Sequence, residues 1–256
     1  MSKLDITKLP TVMRSNNWER GAQLMEKWFS DPSNSSPSNG IASTDIITMD
    51  WVLGFSRARQ VYDTLIAERI WLNEAARREI VKLLKRKNAL GSGKQRFLLP
   101  RMLQSMENEA IQFRVIGGNM DMLVGPMDDL RAALGNFTFR LVVAGTVEAE
   151  MTEKKVAAGP APKVPTGNYL VTIEEVGIYV KDSYDFNDAA GEDQDLGNWN
   201  FESNSVGRTG LNGGFNVRNS DFRKWRSANG KGGDFLIYSD MRVLKQTTNN
   251  TFLFKP

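Results

Sequence analysis

From Tyr169 to Val180 the chain reads as one apolar β-strand, Tyr-Leu-Val-Thr-Ile-Glu-Glu-Val-Gly-Ile-Tyr-Val, which runs straight into two carboxylates, a phenol and an amide. These are Asp182, Tyr184, Asp185 and Asn187. Such a run places this half of the chain in a sheet. Its end is also where a site is expected, because the strand fixes the groups while the following loop leaves them open to a ligand. The next residues, Asp188 to Gly197, add four acidic side chains (Asp188, Glu192, Asp193, Asp195) without apolar periodicity, the composition of an anionic loop.

Two missing residue types narrow the chemistry. None of the 256 residues is His or Cys, so histidine bases, serine-histidine triads, His-ligated zinc, thiolate sites and disulfides are all excluded. Any catalysis must run on Asp, Glu, Tyr, Lys, Arg or a hard cation bound through oxygen. A net charge of +3 is too small to argue for nucleic acid. Met1 to Pro10 is polar and no long apolar run occurs, so neither an export signal nor a membrane span is expected. The protein is expected to be made in the cytoplasm and, if it acts in the periplasm of a target bacterium, to be carried there by other means.

Helical periodicity dominates the first part of the chain. Trp18, Ala22, Met25, Trp28 and Phe29 share one face of a helix that Asp31-Pro32 stops. A Ser-rich loop follows to Ser43. Trp51, Phe55, Ala58, Tyr62, Leu65 and Ile66 predict a second, longer helix from about Thr44 to Glu68. Asn73 caps a third, with Ala76, Ile80, Leu83 and Leu84 inside and Lys85-Arg-Lys87 at its negative end. After Gly91-Ser-Gly93 the pattern changes. Strands are expected at Gln112–Ile116, Phe137–Glu150, Tyr169–Val180, Asp234–Tyr238 and Met241–Leu244, with a short helix over Pro126–Leu134. Met151–Thr166 reads as an exposed connection, and the Gly- and Asn-rich stretch from Asn198 to Gly233 as long loops or short strands. The expected fold is α+β, with a helical region over 1–105 and a β-rich domain over 106–256.

Asp182-Ser-Tyr-Asp-Phe-Asn187 is similar to the D-x-Y-D-F-N core of the active-site motif of colicin M-type bacteriocins. Gly135-Asn-Phe-Thr138, Gly145-Thr146 and Phe235-Leu-Ile237 agree with that family's strands. Over more of its length, through Val176–Asn187, Leu196–Asn200 and Gly232–Asp240, the chain resembles a bacterial family often encoded beside type VI secretion genes. The first resemblance implies an antiparallel, partly open β half-barrel that binds Mg²⁺ and hydrolyses a phosphoester of lipid-linked peptidoglycan precursor. On the matching positions Asp182, Tyr184 and Asp185 are the catalytic groups, with Asp182 and Asp185 as metal ligands and Asn187 in support. That family's motif continues with a His-Arg pair where this chain has Gly191 and Glu192, which puts the catalytic step in question. Arg208, Arg218, Arg223 or Arg226 would have to supply the cation.

The same residues have plainer explanations. Asp182 to Asp185 is also a sequence that favours turns, and Tyr184 and Phe186 are also spaced as core residues. Asn229-Gly-Lys-Gly-Gly233, with Lys231 as its charge, is either a phosphate cradle or a β-turn. Phe222-Arg-Lys-Trp-Arg226 either grips an anion or anchors a loop through Trp225. The functional expectation is an antibacterial effector with a secretion spike or chaperone and an immunity protein as partners. The alternatives are a non-catalytic adaptor or envelope-binding module and a spike-related structural protein.

Overall fold

The computed structural model describes residues 4–118, 125–154, 159–208, 213–247 and 250–256. Its helices are α1 (Leu9–Ser15), α2 (Glu19–Ser30), α3 (Met49–Leu53), α4 (Ser56–Ala67), α5 (Glu74–Arg86), α6 (Leu103–Glu109), α7 (Asp129–Leu134) and α8 (Asn219–Asn229). Its strands are β1 (Gln95–Phe97), β2 (Gln112–Ile116), β3 (Phe137–Glu153), β4 (Lys163–Tyr184), β5 (Asp195–Asn200), β6 (Ser205–Gly207), β7 (Phe215–Arg218), β8 (Phe235–Tyr238), β9 (Arg242–Lys245) and β10 (Thr251–Phe254). The fold is mixed α+β with antiparallel sheets, and among the described residues no strand pairing closes a barrel. Two compact units form. One gathers Met1–Arg59, Val115–Thr138 and Val180–Asp240; the other gathers Gln60–Arg114, Phe139–Tyr179 and Met241–Pro256. Because β3 and β4 contribute residues to both, each unit is assembled from separated pieces of chain.

In the first unit α2 packs on α1 and α7. The Asp129 carboxylate accepts the Arg20 and Gly21 amide N–H groups at 3.0 and 2.8 Å, which satisfies donors that the start of α2 leaves orphaned. Asp128 caps its own helix, accepting the Arg131 N–H at 3.0 Å. The last residues of β4 pair with β8, in the register Asp182 to Ile237 and Tyr184 to Phe235. Ser43 covers the outer edge of β8, its N–H donating to Leu236 and its carbonyl accepting from Tyr238. A separate sheet in the order β6-β5-β7 completes the unit.

In the second unit β1 pairs with β3, while β9 and β10 pair with β4. Phe139, Leu141 and Val143 are buried as their alternation predicts, but so are Val142 and Ala144. The middle of β3 is therefore covered on both faces, as a continuous apolar run allows. Asn73 caps α5 by accepting the Ala76 N–H at 2.8 Å. Asn250 Oδ1 accepts from Arg69 at 2.6 Å and from the Trp71 indole at 3.2 Å. Tyr179 donates its hydroxyl to the Met106 carbonyl at 2.9 Å.

Four expectations change. The long second helix is two helices, α3 and α4, with Gly54 between them; a glycine costs a helix interior about 1 kcal/mol. Much of the expected exposed connection belongs to β3 and β4, and its residues 155–158 lie outside the described set. The stretch expected to be long loops or short strands holds the short strands β6 and β7 and, beyond that expectation, an eleven-residue helix, α8. It starts where Asp221 accepts the Arg218 N–H at 3.0 Å, and it buries Asn219, Phe222 and Arg226 along one side. Finally, β4 extends past Val180, so Asp182 and Tyr184 stand within the strand and only Asp185 begins the loop.

Candidate functional site

Pairing with β8 fixes the backbone of Asp182 and Tyr184, and their alternate spacing puts both side chains on one face of β4. That face borders a cavity of about 640 Å³, whose wall Asp185 also joins. Every wall residue belongs to the first unit. Leu9, Met13, Trp18 and Met25 supply an apolar side, and Trp199 meets Trp18 edge to face with ring centres 6.1 Å apart. Arg131, Asp195 and Arg208 add charge. Most of a cavity this size is apolar surface broken by a few polar groups, the usual make-up of a ligand site.

Asp182 carries the strongest perturbation. Burial holds its carboxyl well above the ordinary range, and the neighbouring charge of Asp185 adds to this; the Ser183 backbone and Lys181 act the other way. Tyr184 is 8% exposed, stacks on Phe235 at 5.2 Å and meets Phe186 edge-on at 5.6 Å. Burial pushes its phenol up as well, so it serves as a neutral hydroxyl and not as a base. Asp185 Oδ1 accepts the Asn187 N–H at 3.1 Å, a turn contact that occupies one of its oxygens. Asn187 in turn donates to Asp234 at 2.9 Å and to the Ser35 carbonyl at 3.3 Å, tethering the loop after β4.

Magnesium binds ionised oxygens. Burial pushes up the carboxyl of Asp182, one of the two expected to hold it, and among the described residues no group of three or more acidic side chains is placed to hold a metal ion.

The remaining candidates are spread out. Arg208 reaches the cavity wall, where its guanidinium donates to the Gly125 carbonyl. Arg218 is exposed, 3.9 Å from Asp193, and Lys231 is exposed beside a bridge to Pro32; neither lines the cavity. The Gly-rich segment around Lys231 does not offer its glycine amides to a phosphate, because all three are already used. Gly230 donates to Arg226, Gly232 to Asp31 and Gly233 to Trp28, at 3.0, 3.0 and 3.1 Å. Phe222–Arg226 lies on α8, where Phe222 stacks on Phe186 at 3.6 Å and Arg226 pairs with the buried Asp234. The acidic loop is likewise occupied. Asp188 accepts from Arg223 at 2.5 Å and from Asn219 at 2.6 Å, and these partners outweigh burial and hold its carboxyl below the ordinary range. Asp193 accepts the Ser220 N–H and hydroxyl, both at 2.8 Å, at the start of α8.

Sequence reasoning missed Arg131, a lone arginine in a short helix without a motif around it. It also assigned Trp18 and Met25 to helix core; they are buried, yet they form a wall of the cavity.

The fold and site define an α+β protein with an acid-lined apolar cavity. The chain belongs to the family described as "Family of unknown function (DUF6402)", whose pattern matches residues 4–206 and 204–254. No curated protein and no solved structure matches the chain.

Proposed function

We propose that the protein is an antibacterial effector delivered through a type VI-like apparatus, and that its cavity receives the phosphate-bearing end of a lipid-linked peptidoglycan precursor. One observation carries the chemical part: Asp182, whose carboxyl is pushed up by burial, and Asp185 border the same apolar-walled cavity. A protonated carboxyl beside a second carboxylate is an acid–base pair. Asp182 protonates the departing phosphate oxygen while Asp185 polarises the attacking water, and the apolar wall takes the hydrocarbon. The half-barrel comparison and the delivery route are supported by the sequence resemblances alone. An effector of this kind has an immunity protein in the producing cell and a spike or chaperone that carries it.

Expression in the periplasm tests this. Wild-type protein exported to the periplasm should lyse cells, cytoplasmic expression should be harmless, and Asp182→Asn and Asp185→Asn should each remove the lysis without loss of folded protein. Unchanged growth with wild-type protein demonstrably in the periplasm would overturn the effector assignment.

A binding module is the second possibility, and one observation favours it. The phenol of Tyr184 is packed in an aromatic stack, and Gly191 and Glu192 stand where the resembling family has its His-Arg pair. Saturable binding of precursor without any hydrolysed product would decide for it.

A further inference from the structure

We infer that one side of this cavity is a saccharide subsite, in which Asp185, Gln194 and Asp195 hydrogen-bond the hydroxyl and acetamido groups of an N-acetylated sugar while Trp18 and Trp199 take the C–H face of its ring. This rests on the assignment of the cavity to a peptidoglycan precursor and names the part of that precursor, beyond its phosphate, that the wall recognises.

Asp185, Gln194 and Asp195 all border the cavity. The main chain of Gln194 is held from both sides, its N–H donating to Asp188 at 3.2 Å and its carbonyl accepting the Asn219 N–H at 3.1 Å. Among the described residues its side-chain amide makes no hydrogen bond, so one donor and one acceptor stand ready on a fixed backbone. Each carboxylate is oriented in a similar way. Asp185 Oδ1 accepts the Asn187 N–H at 3.1 Å and Asp195 Oδ1 the Gly197 N–H at 2.7 Å, while the second oxygen of each accepts nothing among the described residues. The whole wall carries the carboxyls of Asp128, Asp182, Asp185 and Asp195 against the guanidinium groups of Arg131 and Arg208. With acids in excess, the part of a ligand that lies against Asp185 and Asp195 brings hydrogen-bond donors, because further negative charge would be repelled. Hydroxyl groups do this without a charge of their own, and a bond to a carboxylate is among the stronger ones. An acetamido group matches the Gln194 amide donor to acceptor and acceptor to donor. The apolar face of a sugar ring needs a flat partner, and Trp18 and Trp199 supply it from α2's approach and from β5, edge to face at 6.1 Å. The Trp199 ring is fixed by its N–H, which donates to the Leu196 carbonyl at 3.0 Å.

The test uses the full chain with N,N′-diacetylchitobiose, cellobiose and farnesyl phosphate, followed by tryptophan fluorescence and calorimetry. Diacetylchitobiose should bind saturably, with an affinity that does not change as salt is raised, and more tightly than cellobiose, which lacks the acetamido groups. Asp195→Asn should weaken it by about fivefold or more, the scale of exchanging a charge-assisted hydrogen bond for a neutral one. Gln194→Ala should bring its affinity down to that of cellobiose. Both positions are exposed, so the unfolding curves of the two variants should match wild type. Binding of farnesyl phosphate without diacetylchitobiose, or of diacetylchitobiose equally by wild type and both variants, overturns the subsite and leaves the phosphate-lipid assignment standing. Binding of diacetylchitobiose that both variants weaken, with no binding of farnesyl phosphate, supports the subsite and removes the lipid from the assignment. If the wild-type protein binds none of the three probes, the cavity assignment and the subsite fall together.

Discussion

Asn187 Nδ2 donates a 2.9 Å hydrogen bond to Oδ2 of Asp234, a carboxylate with no exposed surface. The other oxygen of Asp234 accepts from the Trp28 indole at 2.9 Å and from the Arg226 guanidinium. One buried acid therefore joins the loop after β4 to α2 and α8, and the position of Asp185 at the cavity depends on it. Burial raises the Asp234 carboxyl and its three donors pull it back, so removing it strands several polar groups at once.

Asp234→Ala should destabilise the protein by about 3–5 kcal/mol, the usual cost of breaking a buried ion pair from one side. Urea unfolding followed by tryptophan fluorescence measures it. A loss below about 1 kcal/mol would mean that water replaces the missing partners, as at a surface pair.

Gly232 has φ +91°, and a methyl group there would lie 2.5 Å from the Trp28 ring. Gly232→Ala combines a strained backbone with overpacking, each costing about 1–3 kcal/mol. Its unfolding midpoint should fall clearly below that of Gly230→Ala. Position 230 also has a positive φ, but an added methyl meets no atom within 4 Å, so the difference between the two isolates the clash with Trp28.

Asp182 predicts a specific pH dependence. Its folded carboxyl titrates above its unfolded one, so between the two values the unfolded chain releases a proton that the folded chain retains. Stability is then highest below the unfolded value of about 4, falls as pH rises by up to about 1.4 kcal/mol per pH unit, and levels off above the folded value. Asp128, Asp188 and Asp193 work in the opposite sense, because their carboxyls are lowered. The clean measurement is the stability difference between wild type and Asp182→Asn across this range. The variant should gain on wild type as pH rises from 4 to neutrality; a difference independent of pH would show that Asp182 ionises normally.

Asn73→Ala removes the cap of α5 and should cost about 1 kcal/mol, in the range found for such caps. Asn73→Asp should retain most of that stability. Thermal unfolding of the three proteins side by side is sufficient.

Some elements announce themselves locally. The stripe from Trp18 to Phe29 appears as α2, the Asn73 cap opens α5 with Lys85 and Arg86 in its last turn, and the apolar run after Phe137 is a strand. The helix α8 was hidden because its glycine- and asparagine-rich surroundings favour loops, whereas its stability comes from Phe222 packing on Phe186 and from Asp193 accepting the Ser220 N–H near its start. The glycines around Lys231 misled in the same way. They resemble an anion cradle in isolation, and only their neighbours show that each amide is engaged.

By itself the sequence settled the residue inventory and the local periods: no imidazole or thiol chemistry, amphipathic helices early, apolar strands later and an acidic group at the end of one of them. Periodicity and capping are interactions between residues a few positions apart, so they can be read along the chain. Tertiary structure alone decided that Met13, Met25, Arg131, Asp182 and Arg208 border one cavity, because those contacts join distant segments and exist only once their helices and strands have packed. It also decided the upward shift of the Asp182 carboxyl, since burial is a property of that packing and not of the residues beside it.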